Sequence, residues 1–226
     1  MKSFTLKPKQ WLRTRGGAMG LFNRTKTADA ATTADAVAEN TAGQDLGLGH
    51  LTGDWTIDTT HSEIGFSVRH AMITNVKGRF TEYEGKLHLD GTTPTNSRAD
   101  LVIKVASIDT AQAARDEHLR TGDFFAAETF PEMRFVSTAA ERVDDESYRM
   151  TGELTIKDVT REITLDLDFT GHAVDAFGAD RVGFEGKAVL DRTDWGLTYN
   201  AALETGGVLI GEKVKLTFDI SAVKAA

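Results

Sequence analysis

From Gly53 to about Ala222, apolar and polar residues alternate with a period of two, broken only by turn-forming clusters. Ile64, Phe66 and Val68 share one side of such a segment, and Glu63, Ser67 and Arg69 share the other. The same phase recurs in Tyr83, Gly85, Leu87 and Leu89, in Ala99, Leu101, Ile103 and Val105, and in Met133 and Phe135. It returns in Tyr148, Met150, Gly152, Leu154 and Ile156, and again in Ile163, Leu165, Leu167 and Phe169. Val182, Phe184, Ala188 and Leu190 lead to the last set, Val214, Leu216, Phe218 and Ile220. One apolar face at this period describes half-buried antiparallel strands. Asp90-Gly91, Asp144-Asp145-Glu146-Ser147 and Phe177-Gly178-Ala179-Asp180 supply hairpin-type turns between them.

One segment departs from the pattern. Thr110 to Arg120 is built of helix formers, with Asp109 or Thr110 as N-cap, Gln112 in a capping-box position and Gly122 as a stop. About eight strands with a polar outer face and one short helix must hide their edges. Closure into a barrel does so most completely, and a two-sheet sandwich is the alternative. The fold class is therefore all-β. An eight-stranded barrel is near the size at which side chains fill the interior or leave room for one ligand. Gly85, Gly152, Gly186, Ala99 and Ala188 on the inward face subtract volume and favour a hollow; equally, the glycines permit strong strand bending. A hollow lined by Phe, Leu, Ile and Val suits an apolar guest, each buried methylene contributing about 0.8 kcal/mol.

Composition narrows the choices. The chain has 226 residues, of which 40% are hydrophobic, enough for a real core. It has no cysteine, which removes disulfides, thiol catalysis and cysteine-ligated metals. The net charge of −8 is unevenly spread. Lys2, Lys7, Lys9, Arg13, Arg15, Arg24 and Lys26 stand in residues 1–28 without an acid, so the remainder carries 19 basic residues against 34 acidic ones. An acidic body argues against nucleic-acid binding, while the basic segment suits transient contact with anionic lipid headgroups.

Residues 24–50 hold almost no large apolar side chain and read as linker or disorder. Residues 1–52 are thus expected to be a tail and 53–226 the folded domain. No apolar run has the length of a secretory signal or of a spanning helix. A cytoplasmic location is the expectation, with export as the alternative, and Met19 is an alternative start to Met1.

Several clusters carry a family resemblance. Trp55-x-Ile57-Asp58-x-x-His61-Ser62-x-Ile64-x-Phe66-x-Val68-x-His70 opens the domain. Gly78-x-Phe80, Arg115-Asp116-x-His118-Leu119 with Phe124-Phe125, and Phe130-Pro131-x-Met133-x-Phe135 follow. Gly152-x-Leu154-Thr155-Ile156, Arg192-x-Asp194-Trp195-Gly196 and Gly211-x-Lys213-Val214 complete the series. In this order and spacing the chain resembles the YceI-like family of polyisoprenoid-binding proteins over residues 54–222. The resemblance implies an extended, lipocalin-like eight-stranded antiparallel barrel whose central pore holds a polyprenyl chain, such as an isoprenoid quinone or a polyprenyl phosphate. It also implies a homodimer, and it carries no catalytic role, resident cofactor or metal. Many members carry a secretion signal, which is not evident here.

The apolar strand faces and these motifs together nominate ligand-lining residues. From the strands come Phe66, Val68, Leu87, Leu101, Ile103, Phe135, Leu154, Ile163, Leu165, Leu167 and Phe184; from the motif segments come His70, Phe124, Arg192 and Trp195. His61, His70 and His118 fit no compact metal spacing. Asp58 to Ser62 contains Asp, His and Ser, but a triad is defined by geometry, and the segment reads better as a turn with Asp58 and Ser62 capping backbone groups. Arg115 and Arg192 each suit a lipid's polar head or a structural fork: Arg115 to a carboxylate, Arg192 to backbone carbonyls. The leading function is storage or transport of a polyisoprenoid lipid, with an enzyme acting on such a lipid, or a solid-core structural or stress-related barrel, as alternatives.

Overall fold

The computed structural model describes residues 47–204 and 206–225; the expected basic and low-complexity tail as far as residue 46 lies outside the described residues. The strands are β1 (Gly53–Ile57), β2 (Glu63–His70), β3 (Thr74–Phe80), β4 (Tyr83–Leu89), β5 (Arg98–Lys104) and β6 (Ile108–Asp109), then β7 (Glu132–Arg142), β8 (Ser147–Ile156), β9 (Val159–Val174), β10 (Asp180–Asp191) and β11 (Ile210–Lys224). One helix, α1 (Ala113–Arg120), lies between β6 and β7.

These strands form eight antiparallel paths, because three paths are each interrupted once. The β2–β3 hairpin continues as the β1–β4 ladder, and the β4–β5 ladder continues as β3–β6. From β5 onward each strand pairs with the next through β7, β8, β9, β10 and β11. The long β11 then closes the ring, pairing Val214 with Val68 and Trp55 with Lys224. The result is a closed barrel and not a sandwich. Closure gives each of the eight paths a neighbour on both sides, which removes the edges that a half-apolar sheet would expose.

The first interruption shows how a path is bent without losing its place. Asp58 Oδ1 accepts hydrogen bonds from the Thr60 amide and hydroxyl, turning the chain between β1 and β2. Ser62 Oγ donates to the Ser221 carbonyl and accepts from the Ser221 amide, stitching the turn to β11. Asp58 also holds Arg181 at 2.6 Å, and Arg181 reaches Asp175 at 2.7 Å. The Thr60 hydroxyl and the Arg181 guanidinium hold the Asp58 carboxyl well below the usual carboxylate range.

The helix starts later than its sequence suggests. Gln112 is the N-cap, its side chain accepting from the Arg115 amide, while Asp109 accepts from Ala111 and buried Asp116 accepts from Thr110. Ala111, in the left-handed region at φ 59°, interrupts the helical path, so the caps available at 109 and 110 serve the turn before it. Thr121 is the C-cap, and Gly122 follows directly at the position expected for the stop. Arg120 donates to the Ala106 and Ile108 carbonyls and Arg115 to the Thr110 hydroxyl and carbonyl, tying α1 to the β5–β6 path. Arg115 therefore makes its structural fork to Thr110 and not to a carboxylate.

Residues 48–52 belong with the barrel and not with the tail. Leu48–Leu51 form a short 3-10 turn, Leu51 is buried, and buried Trp55 donates its indole N–H to the Leu51 carbonyl at 3.0 Å. The turn sits so close to the β4–β5 connection that a β-carbon at Gly91 would collide with the Leu48 carbonyl.

Candidate functional site

The inward-facing residues enclose a lumen of two lobes. One lobe lies toward the Leu48–Leu51 turn and is open at its end. Its wall includes Ile57, Leu87 and Leu89, and opposite them Leu167, Phe169 and Phe184. The other lobe lies toward α1. Phe66 and Val68 line it from β2, Leu154 and Ile163 from β8 and β9, and Phe124 and Trp195 from the segments that close its end. Leu101, Phe135, Leu165 and Phe218 line both lobes and form the waist between them.

The lining is apolar but not packed solid. Phe66, Leu101, Leu167, Phe184, Leu216 and Phe218 all face inward, yet each keeps part of its surface accessible to water. In a filled core these large side chains would be as buried as Val105 or Val182, which line neither lobe. These partly exposed side chains line the two lobes, where a hydrocarbon guest would cover them.

The small inward residues act differently from either expectation. A β-carbon on Gly78 would strike the ring of Phe66, directly opposite on the neighbouring strand. One on Gly152 would lie 2.5 Å from the Phe135 ring, and one on Gly186 2.5 Å from Leu167 Cδ2. Gly85 stands in the same relation to Ile57. None of these four glycines has a positive φ, so none is needed for backbone strain. Each makes a recess in the wall into which a neighbour's side chain lies flat, in the manner by which aromatic residues cover strand glycines. The lumen stays open because bulk is folded against the wall.

The polar groups around the lumen are mostly spoken for. Buried Arg192 donates to the Leu197 carbonyl, to Gly211 at 3.0 Å and to Ile210 at 3.4 Å, and burial lowers its guanidinium below the usual value. It serves as a fork to backbone carbonyls. Trp195 donates its indole N–H to the Leu154 carbonyl. Tyr83 donates its hydroxyl to the Ser62 carbonyl. His61 rests on Asp58 at 2.8 Å, while Ser62 is engaged with Ser221, so this segment is a stitched turn in which His61 and Ser62 are not joined. His118 pairs with Asp123 and packs its ring on Phe124 and Tyr199. Among the described residues no group of three or more His, Cys, Asp or Glu is arranged to hold a metal ion.

The nominated residues fall unevenly. Leu87, Leu167 and Phe184 line the first lobe, and Leu101, Phe135 and Leu165 the waist. Phe66, Val68, Ile103, Phe124, Leu154 and Ile163 line the second lobe, together with Trp195 and Arg192. His70 lines neither lobe. It has the inward phase of Ile64, Phe66 and Val68, but it stands at the last rung of β2, where β11 slips from Val214 to Ile210 and the wall ends. The nomination also misses Phe218 of the waist and the end-closing residues Leu48, Leu119, Phe125 and Leu197. Phe218 was visible as an inward position; the end-closing residues sit in irregular segments that carry no period to read.

Known proteins share this architecture and its sequence. A model of the YceI-like domain matches residues 55–222. A UPF0312 protein of Staphylococcus epidermidis is 37% identical over 169 residues, covering 74% of this chain and 95% of that protein. A homologue from Staphylococcus aureus is 35% identical over 170 residues, covering 75% and 95%. The solved YCEI protein of Campylobacter jejuni is 31% identical with a TM-score of 0.61, covering 70% of this chain and 90% of that one. A polyisoprenoid binding domain from Saccharophagus degradans, implicated in plant cell wall breakdown, shares the fold at 17% identity and a TM-score of 0.59, covering 76% and 98%. The match runs from Trp55 at the Leu48–Leu51 end of the barrel to Ala222, where β11 meets β1 and closes it, and the chain belongs to the YceI-like family.

Proposed function

We propose that the protein binds a long-chain polyisoprenoid lipid in its lumen and carries or stores it. The observation behind this reading is the set of large apolar side chains that face inward and remain accessible along both lobes. A prenyl chain covering that surface gains about 0.8 kcal/mol for each methylene withdrawn from water, offset by the cost of ordering a flexible guest. The two lobes end to end suit an elongated ligand better than a compact one. The polyisoprenoid binding named for the Saccharophagus degradans domain is consistent with this choice of chain. The lining brings no nucleophile, base and substrate-sized polar cleft together, so the reading is one of binding and release.

The test is transfer from membranes. Phospholipid vesicles loaded with menatetrenone, a quinone with a geranylgeranyl tail, are mixed with detergent-free protein and removed by centrifugation. Uptake predicts about one quinone per chain in the supernatant, and a supernatant free of quinone at all protein concentrations contradicts the reading.

A further inference from the structure

We infer that the lumen orients its guest: the ligand's polar end lies in the first lobe, its acceptor oxygen hydrogen-bonded by the Tyr148 hydroxyl, and the tail runs past the Leu101–Phe135–Leu165–Phe218 waist into the second lobe. The inference rests on the lipid-binding reading above and adds a direction and a head-group chemistry to it.

The two lobes differ in the donors they leave free. In the second lobe Arg192 and Trp195 have their N–H groups committed to backbone carbonyls, so that lobe presents only hydrocarbon to a guest. In the first lobe Asp90 accepts from Thr92, Thr93 and Asn96, and Ser97 accepts from the Asp90 amide. Arg149 pairs with Glu141 and Asp166. Tyr148 and Arg98 are the exceptions. Tyr148 holds the inward phase of β8, two residues before Met150, and its register partner on β9 is apolar Leu167. Its hydroxyl has no hydrogen-bond partner among the described residues, whereas Tyr83, Trp55 and Trp195 each have one. The hydroxyl is not sealed off, so water or a guest can reach it.

Burial pushes the Tyr148 phenol up, which keeps it protonated and a donor across the physiological range. Arg98 stands in the same lining; its Nη1 donates to the Thr95 and Ser97 carbonyls, leaving Nε and Nη2 uncommitted among the described residues. Donors without acceptors call for a head that presents oxygen lone pairs, which a quinone carbonyl and a phosphate ester share. A hydrocarbon without a head would gain nothing there.

Three probes with tails of equal length test this: menatetrenone, geranylgeranyl phosphate and the headless hydrocarbon phytane, titrated against the full chain and followed by tryptophan emission. Tyr148→Phe removes only an unpartnered hydroxyl and should keep the wild-type melting temperature. The expected result is a loss of about fivefold in affinity for at least one headed probe, as for one hydrogen bond, with phytane unchanged. Arg98→Gln identifies the head: weakening confined to the phosphate probe assigns a phosphate, and a Tyr148 effect confined to menatetrenone assigns a carbonyl. Wild-type affinities retained by Tyr148→Phe for both headed probes would overturn the orientation and leave lipid binding standing. Failure of the wild type to bind any of the three would overturn lipid binding, and the orientation with it.

Discussion

Leu167 leans over Gly186, its directly opposed partner on the neighbouring strand, so that a β-carbon at 186 would lie 2.5 Å from Leu167 Cδ2 and 3.3 Å from the Phe218 ring. Leu167 lines the first lobe and Phe218 the waist. Gly186→Ala is therefore expected to push both inward. The cost in stability should be about 1–2 kcal/mol, as for modest overpacking, because the displaced atoms end a flexible side chain and have open lumen to move into. Affinity for a prenyl chain should fall several-fold at the same time. Calorimetry and a binding titration on one preparation check the pair of effects; full affinity would show that the recess does not keep the lumen open.

The waist makes chain length a readable quantity. Leu165 faces both lobes and is buried. Leu165→Trp should destabilise by about 1–3 kcal/mol and obstruct the passage between them. Binding of long prenyl chains should drop by an order of magnitude or more, while a chain as short as geraniol still fits within one lobe. Equal loss for long and short chains would argue that the lobes do not act as one channel.

Arg192 separates structure from recognition. Its guanidinium satisfies carbonyls of Leu197, Ile210 and Gly211, which hold the segment after β10 against the start of β11. Lysine cannot reproduce that fork, so Arg192→Lys should cost about 2–4 kcal/mol through carbonyls left without partners. Measured below its melting transition, the variant should bind headed prenyl ligands within about twofold of wild type, since the carbonyls already hold the guanidinium in place. A selective loss of phosphate-headed ligands would give Arg192 a direct role.

Acid should weaken the fold through Asp58. Its folded-state pKa is depressed by Thr60 and Arg181, so its contribution is fully present above the unfolded value near 4 and is lost as pH falls toward the lower folded value. Thermal unfolding followed downward from about pH 5 should show a falling midpoint in the wild type. Asp58→Asn should melt several degrees lower at neutral pH and show a shallower decline in acid. Parallel curves for the two proteins would place the acid sensitivity elsewhere.

Much of the fold was legible because an antiparallel strand with one wet face writes its period into the chain. Ile163, Leu165 and Leu167 announce an inward face without reference to anything distant. The three interrupted paths were not legible as such, since Asp58–Ser62 reads as an ordinary turn and only the Ser62 bond to Ser221 shows that the path resumes. Irregular rungs at residues 138 and 170 re-phase the alternation, which brings Ala140 to the first lobe although it breaks the phase of Met133 and Phe135. The apolar lining followed from phase alone, but His70 shares that phase and falls beyond the wall, a fact of strand length and not of periodicity. The recesses at Gly78 and Gly186 depend on which residue lies opposite, and cross-strand register is absent from a single sequence.

Native mass spectrometry of the full chain, purified without detergent and then incubated with excess prenyl lipid, measures occupancy of the lumen itself. The prediction is a population carrying one lipid mass per chain, released on collisional activation and largely lost in Leu165→Trp. A spectrum showing only the bare chain before and after incubation would contradict the claim that the barrel's interior is a site for a hydrocarbon tail.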